Sequence, residues 1–308
     1  MFLPSLLFSL LTAPAIWIMT RRHPARDPRV VAAILFLLIL LPALSHLPKI
    51  SVTLPQAEIG TPAASWILLA WLAGFSFFFL KALLDQAAMI RWRKCSTPLG
   101  NHALIDECRE TLGFDQLVQI HIHPALNSPV VAGLVTPTIY LPESSDRWSE
   151  KTLRMALLHE LSHVQRRDLW MATLAHLACL LHWFNPTVWW MRRTVLTQCE
   201  FACDSHLLSR GADPKTYAHA LCDVAEASAH PPLALAMAGH VPLRQRIQHI
   251  GSPQTKRSPL FPFFVLVTSA SAIAMSLVKF VPEILPAYTL HEIELRFNAS
   301  PFPGDRSG

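Results

Sequence analysis

Residues 156–170 read ALLHELSHVQRRDLW, and the motif inside this stretch decides the fold that we expect. His-Glu-Leu-Ser-His at 159–163 is an HExxH motif, preceded by apolar residues of helical spacing. Two histidines four residues apart lie on the same side of a helix, so His159 and His163 can bind one metal ion. Zinc takes histidine nitrogens, and catalytic zinc keeps one position for water. Glu160 is then placed to activate that water as a general base. The alternative is a chance HExxH on a solvated helix.

A third ligand is expected on a second helix, in the string EFACD at 200–204. Glu200 would bind the ion, and Asp204, one turn later, would accept the free N–H of a ligating histidine and so fix its tautomer. The alternative is a pair of solvated helix acids. Apolar neighbours weaken that alternative, because an isolated carboxylate among them would be costly. Cys203 and Cys199 are better explained as small buried residues than as ligands.

The sequence says less about the oxyanion donors and the identity of the metal. Tyr217 and His219 are candidate oxyanion donors by position only, and the alternative for each is a packing residue. The ligand types favour zinc, one ion per chain, although other divalent ions stay open.

Composition predicts a membrane protein. Only 15% of the residues are charged and 52% are hydrophobic, whereas soluble domains carry about a quarter charged residues. Stretches near the ~20 residues that cross a bilayer occur at 2–20, 30–47, 63–84 and 260–281.

The basic residues predict the orientation, since Lys and Arg concentrate on the cytoplasmic side. They flank the segments at Arg21, Arg22, Arg26, Arg29, Lys81, Arg91, Arg93, Lys94, Lys256 and Arg257. This places both termini outside and residues 85–259 in the cytoplasm, within a multi-pass protein of the cell inner membrane. The first segment lacks the preceding positive charge of a signal peptide, so an uncleaved anchor is expected. The four expected domains are three transmembrane helices (1–84), the cytoplasmic domain (85–259), a fourth helix (260–281) and a short outside tail (282–308). No direct nucleic-acid binding is expected, because no basic block resembles a reading helix.

Residues 85–259 predict an α+β, mainly helical domain. A strand is expected within 117–123, followed by two short strands that turn near 133–137. Val130 to Gly133 or Thr138 to Leu141 could offer a sheet edge to an extended substrate; a hairpin packed on the core is the alternative.

Helices are expected to start at Ser149 and at Asn185-Pro186, the second running to about Ser209 with Gly211 at its C-terminal end. Another is expected over 214–229. The apolar 169–184 stretch predicts a buried core helix, with an interfacial or re-entrant segment as the alternative.

These strings together resemble peptidase family M56, the β-lactam sensor-transducer type of membrane zinc metallopeptidase. The resemblance rests on ALLHELSHVQRRDLW, on HWFNPTVWWMRRTVLTQCEFACDSHLL at 182–208 and on the 133–142 strand string, and it spans about residues 1–281. It implies a cytoplasmic gluzincin domain, zinc, and self-cleavage or cleavage of a cytoplasmic transcriptional repressor after an outside signal.

The chain departs from the family pattern in two places, and the first of them matters for function. The family's sensors carry a large penicillin-binding domain after the fourth crossing, whereas 27 residues follow Val281 here. Ser276-x-x-Lys279 has the letters of an acylated serine motif but lies at the end of an apolar segment, so we interpret it as chance. Asn185, where relatives often have histidine, is a neutral cap. The β-lactam role is therefore doubtful, and a partner protein, the tail or the 48–62 loop could carry the input.

Two other functions stay open. One is a processing or quality-control peptidase, similar to the heat-shock and prenyl-protein membrane proteases, and it would lack an adjacent repressor gene. The other is a non-catalytic membrane scaffold or sensor, which would have no need of a complete metal site.

Overall fold

The computed structural model describes residues 8, 12–14, 16–17, 28–44, 50–55, 62–100, 102–227, 242–252, 267, 270 and 278–283. Its helices are α1 (Arg29–Leu44), α2 (Pro62–Lys94), α3 (His102–Leu112), α4 (Glu150–Arg166), α5 (Asp168–Leu181), α6 (Pro186–Ser209), α7 (Pro214–Ala227) and α8 (Leu243–Ile250). Its strands are β1 (Ile50–Pro55), β2 (Thr97–Pro98), β3 (Gln119–His123), β4 (Val130–Ala132), β5 (Thr138–Pro142) and β6 (Val278–Glu283). The chain is mainly helical with a small sheet, in agreement with the predicted α+β class.

The larger sheet has the order β2-β3-β5-β4. Strands β4 and β5 form the predicted antiparallel pair. Gly133 turns the chain between them with φ +94°, where an added Cβ would overlap the carbonyl oxygen of Thr136. Because β5 also pairs in parallel with β3, Thr138 to Leu141 is an interior strand. The prediction that it could serve as an edge is wrong, and β4 is the edge on that side.

The HExxH helix α4 begins and ends as its sequence dictates. Ser149 caps it by accepting a hydrogen bond from the Thr152 N–H at 3.1 Å, and Arg167 ends it in a left-handed conformation with φ 59°. Its apolar side, including Leu157 and Leu161, packs against β3, β5, α3 and α7 in one buried cluster. One side of α4 therefore faces the core, and the other faces α6.

Helix α6 also follows its prediction. The Asn185 side chain accepts a hydrogen bond from the Thr187 N–H at 3.1 Å, Pro186 is its first residue, and Ser209 its last. Gly211 follows with φ +90°. Helix α7 covers the predicted 214–229 helix as far as Ala227; residues 228 and 229 lie outside the described residues.

Within the described ranges, the stretch Trp66–Lys94 of α2 is the one helix long and apolar enough to cross a membrane. It continues ten residues beyond the predicted end of the third segment, because residues 85–94 contain no Gly or Pro to end it. Helix α1, in the second predicted segment, has a shorter apolar stretch, Arg29–Leu40. Most of the first and fourth predicted segments lies outside the described residues.

Strands β1 and β6 form a separate parallel pair, from Ile50 opposite Val278 to Pro55 opposite Glu283. The last four residues of the predicted fourth helix are thus in a strand, a correction that fits the β-branched and aromatic character of Val278 to Val281. The pairing joins the 48–62 loop to the start of the tail, two segments that were predicted on the same side of the membrane.

Candidate metal centre

Three potential ligands converge between α4 and α6. The Nε2 atoms of His159 and His163 are 3.2 Å apart. Glu200 Oε2 lies 3.3 Å from His159 Nε2, and its Oε1 lies 3.5 Å from His163 Nε2. Tetrahedral zinc with bonds of about 2.0–2.1 Å separates its ligand atoms by about 3.3–3.4 Å. The spacing of these three side chains therefore fits a zinc ion.

The other nitrogen of each histidine has a partner of its own. His163 Nδ1 lies 2.9 Å from Asp168 Oδ2, and His159 Nδ1 lies 3.0 Å from the Tyr217 hydroxyl. Tyr217 in turn donates to Asp204 Oδ1 at 2.6 Å, so its oxygen is left to accept from His159. Both rings then carry their proton on Nδ1, and their Nε2 lone pairs face one another. Such facing lone pairs favour a cation between them.

The predicted direct contact of Asp204 with a ligating histidine is corrected. Asp204 Oδ1 is 3.7 Å from His159 Nδ1, too far for a hydrogen bond. It acts on His159 through the Tyr217 hydroxyl instead.

The two predicted oxyanion donors are also corrected. Tyr217 is 1% exposed, and its hydroxyl lies on the Nδ1 side of His159, away from the Nε2 atoms. His219, two residues along the same helix, is exposed, so it faces away from the buried tyrosine. The structure therefore brings Tyr217 to the site in another position, and it does not bring His219 there.

Asp168 is a site residue that sequence reasoning missed. The left-handed Arg167 turns the chain sharply between α4 and α5. Asp168, the first residue of α5, is thereby brought back beside His163, where its carboxylate is 4% exposed. Arg166 Nε lies 3.3 Å from the same Oδ2 atom. In the sequence, Asp168 is visible only as an acidic residue soon after the HExxH helix α4. No local pattern predicts that the chain reverses at this point.

Arg246 on α8 is the second missed residue. It lies 3.2 Å from Glu200 Oε2, and donates to Asp204 Oδ1 at 2.6 Å and to Oδ2 at 3.1 Å. A shared guanidinium offsets the cost of burying these two carboxylates side by side. The residue lies on a separate, short amphipathic helix, so the spacing in sequence gave no indication of it.

The two glutamates of the site have opposite electrostatic environments. Burial raises the pKa of Glu160, while the charges of His159 and His163 lower it less strongly. Burial also acts to raise the pKa of Glu200, but hydrogen bonds with His159 and His163, and the charge of Arg246, hold it well below its ordinary value. Glu200 is thus suited to remain a carboxylate ligand, and Glu160 to take up and release a proton.

Cys203 lies beside this centre as a thiol. Burial raises the pKa of Cys203 to about 12, and its Sγ donates to Asp168 Oδ2 at 3.3 Å. His163, Asp168 and Cys203 are close enough to form a second possible metal-binding group, but metal ligation requires the thiolate. The geometry agrees with the expected role of Cys203 as a small buried residue.

Edge strand β4 packs against α4. One side of β4 pairs with β5, and its other side has no strand partner among the described residues. An extended peptide could add to that side by main-chain hydrogen bonds.

Comparison with known proteins gives one family and a small set of relatives. The family described as BlaR1 peptidase M56 matches residues 38–250. The regulatory protein BlaR1 of Bacillus licheniformis is 29% identical over 141 residues, which cover 45% of this chain and 24% of that relative. The methicillin resistance mecR1 proteins of Staphylococcus aureus and Staphylococcus epidermidis are 28% identical over 146 residues, which cover 46% of this chain and 25% of each relative. The match thus spans about a quarter of the length of these relatives.

Proposed function

Because the chain belongs to the BlaR1 peptidase M56 family, we propose that it is a zinc endopeptidase with His159, His163 and Glu200 as ligands and Glu160 as general base. The convergence of these side chains carries this proposal: the two histidine Nε2 atoms are 3.2 Å apart, and each lies within 3.5 Å of one Glu200 carboxylate oxygen. One ion per chain would be bound there. When bound, zinc supplies a water of lowered pKa and polarises the scissile carbonyl.

The protein's own residues prepare and complete the reaction. Glu160, buried beside the ligands, takes the proton of the attacking water and delivers it to the departing amine. Asp168 and the Tyr217–Asp204 pair hold the two imidazoles in the tautomer that presents Nε2. Arg246 holds Glu200 and Asp204 in place through its guanidinium. Each of these roles can be tested by its own substitution.

Substrate binding is assigned to β4. An extended peptide paired with Val130 to Ala132 would run alongside α4, and its backbone would be held whatever its side chains are. The exposed turn after Gly133, including Val135, would lie at the end of the same strand edge. A protein or peptide substrate, rather than a small molecule, fits such a site.

The biological role that we assign is regulatory proteolysis at the inner membrane. The relatives' names describe regulation and methicillin resistance, and the positive-inside rule places the peptidase domain in the cytoplasm between a third and a fourth crossing. The substrate would then be a cytoplasmic repressor or the chain itself, and the signal would arrive from outside.

Zinc content and cleavage test the proposal separately. The detergent-purified wild type and Glu160→Gln should each hold about one zinc per chain, and Glu200→Ala should lose it. His219→Ala, which changes an exposed histidine, is the matched control and should retain zinc. A zinc content of Glu200→Ala equal to that of the wild type would show that the third ligand is another residue.

New protein N-termini in cells that carry wild type or Glu160→Gln then identify the substrate. Cuts confined to a repressor or to this chain support regulatory proteolysis. Cuts spread over many membrane proteins would instead indicate quality control. An unchanged set of N-termini and an unchanged phenotype in Glu160→Gln would identify a scaffold.

A further inference from the structure

Helices α5 and α6 form a hairpin, defined here as residues 168–200, that packs against the apolar helix α1. The two arms and α1 share one buried cluster, to which Phe8 and Ile16 of the first predicted segment also belong. The outer side of α5 is apolar as well: Trp170 is 53% exposed and Leu177, two turns later, is 46% exposed. A helix that is apolar on both sides is typical of lipid contact rather than of a soluble surface.

The tip of the hairpin, residues 181–185 between the two helices, donates a hydrogen bond to a backbone carbonyl in the middle of α1. His182 Nε2 donates to the Leu38 carbonyl oxygen at 3.1 Å. In a regular helix that carbonyl accepts from the residue four positions later, which here is Pro42 and has no N–H. Water would supply the missing donor at a solvated position, but within a bilayer it must come from protein. The His182 side chain therefore supplies from the protein the hydrogen bond that this carbonyl would need inside a bilayer.

The same tip is held by the first half of α2, the helix long enough to span. Trp71 Nε1 donates to the Leu181 carbonyl at 3.1 Å, and Trp183 Nε1 donates to the Trp71 carbonyl at 3.3 Å. Gly74 gives the Trp183 ring its space, since an added Cβ would overlap that ring. The Phe78 ring lies beside the same ring, tilted by 31°, with centroids 6.2 Å apart. Two apolar helices thus contact the tip within their apolar stretches.

The charged residues of these helices give the depth of the tip. Leu38 lies nine residues after Arg29 and Trp71 ten residues before Lys81, about 13 and 15 Å at a rise of about 1.5 Å per residue. On the returning arm, Arg193 follows Asn185 by eight residues and is exposed. Half of a bilayer core is about 15 Å. With these charges at the cytoplasmic interface, the tip reaches about the middle of the bilayer.

We propose that residues 168–200 are a re-entrant hairpin, inserted from the cytoplasmic side beside α1 and α2, with lipid acyl chains as the partner of its outer surface. The stretch predicted as a buried core helix then belongs to the alternative class, the re-entrant segment. Asp168 begins one arm and Glu200 ends the other, and each is about 20 Å from the tip along its helix. The candidate metal centre consequently sits about 5–10 Å beyond the hydrocarbon core, at about the level of the cytoplasmic headgroups.

Fluorescence quenching by brominated lipids tests the depth of the tip. The full-length protein is placed in nanodiscs with bromines either near the headgroups or near the bilayer centre. The Trp183 signal is obtained as the difference between wild type and Trp183→Phe. Its fractional loss should be greatest with bromines near the centre. The Trp170 signal, from Trp170→Phe at the start of the hairpin, should be lost most with bromines near the headgroups.

Trp148, just before the HExxH helix, is the control, and its signal from Trp148→Phe should be affected little by either lipid. Quenching of Trp183 no greater than that of Trp148 would overturn the proposal. Zinc content is measured on the same samples, so a failure of the hairpin and a failure of the metal centre are distinguishable.

A second measurement uses the unmodified chain, in case Trp183→Phe does not fold. A phospholipid with a photoreactive diazirine at the end of its acyl chain is activated in the same nanodiscs, and labelled peptides are located by mass spectrometry. Label on α2 and on 170–185 supports the hairpin. Label on α2 with none on 170–185 refutes it.

Discussion

Replacing Tyr217 by Phe removes one oxygen from the middle of the chain that connects His159 to Asp204. The hydroxyl lies 3.0 Å from His159 Nδ1 and 2.6 Å from Asp204 Oδ1. Both partners are buried, with 8% and 0% of their side-chain surface exposed. Without the hydroxyl, the His159 Nδ1–H has lost its acceptor where water cannot readily replace it.

The size of the effect follows from these contacts. A buried donor left without a partner costs about 1–3 kcal/mol. Loss of such an outer contact to a ligating histidine weakens metal affinity by about 10- to 100-fold. We expect the zinc dissociation constant of Tyr217→Phe to rise within that range. Arg246 still contacts both oxygens of Asp204, so the aspartate should keep its position.

Competition with a zinc chelator measures the constant on detergent-purified protein. Tyr140→Phe is the matched control, because Tyr140 is an equally buried tyrosine, 2% exposed, in a separate cluster with Leu126 and Ala132. Its zinc affinity should equal that of the wild type. Unchanged zinc affinity in Tyr217→Phe, together with lost turnover of a cleaved substrate, would refute our reasoning and restore the oxyanion role.

Three further substitutions test the site and the fold. Asp168→Asn should also weaken zinc binding about 10- to 100-fold, as measured by the same competition. The control Asp106→Asn, at an exposed acid, should leave zinc affinity unchanged. Equal zinc affinities of the two variants would show that Asp168 does not support the candidate metal centre. Leu157→Ala, at a fully buried position, should cost about 2–5 kcal/mol of stability in thermal melting, and Leu117→Ala, at a residue 84% exposed, should stay within about 0.5 kcal/mol. Gly133→Ala should lower stability by about 1–3 kcal/mol in the same assay, because φ +94° is strained for alanine; an unchanged melting temperature would show that the turn relaxes freely.

Local signals predicted most of the helical framework. Ser149 and Asn185 cap the helices that they were expected to cap, since capping is decided by residues within one turn. The two short strands and the turn at Gly133 were predicted for the same reason. The position of β5 inside the sheet was not, because its parallel pairing with β3 joins residues that no local pattern connects.

The residues of the candidate site also fall into those that local sequence predicts and those that only the tertiary structure brings together. HExxH and Glu200 have recognisable chemistry in sequence, and the structure places their ligand atoms together. Asp168 depends on a chain reversal at a left-handed arginine, and Arg246 on the docking of a separate helix, so neither could be read from spacing. Tyr217 was selected by position, but its burial, which is a tertiary property, determines which side of His159 it contacts.

The hairpin joins the membrane part of the chain to the chemistry. Helix α6 is one continuous element, with Val188 and Val195 in the cluster shared with α1 and Glu200 farther along in the metal centre. The other arm starts at Asp168, the partner of His163. A tilt of the hairpin relative to α1 would therefore move Glu200 together with Asp168, the partner of His163. On the proposed membrane placement, a shift of α1 or α2 would reach the candidate metal centre directly, because α5 begins beside His163 and α6 carries Glu200.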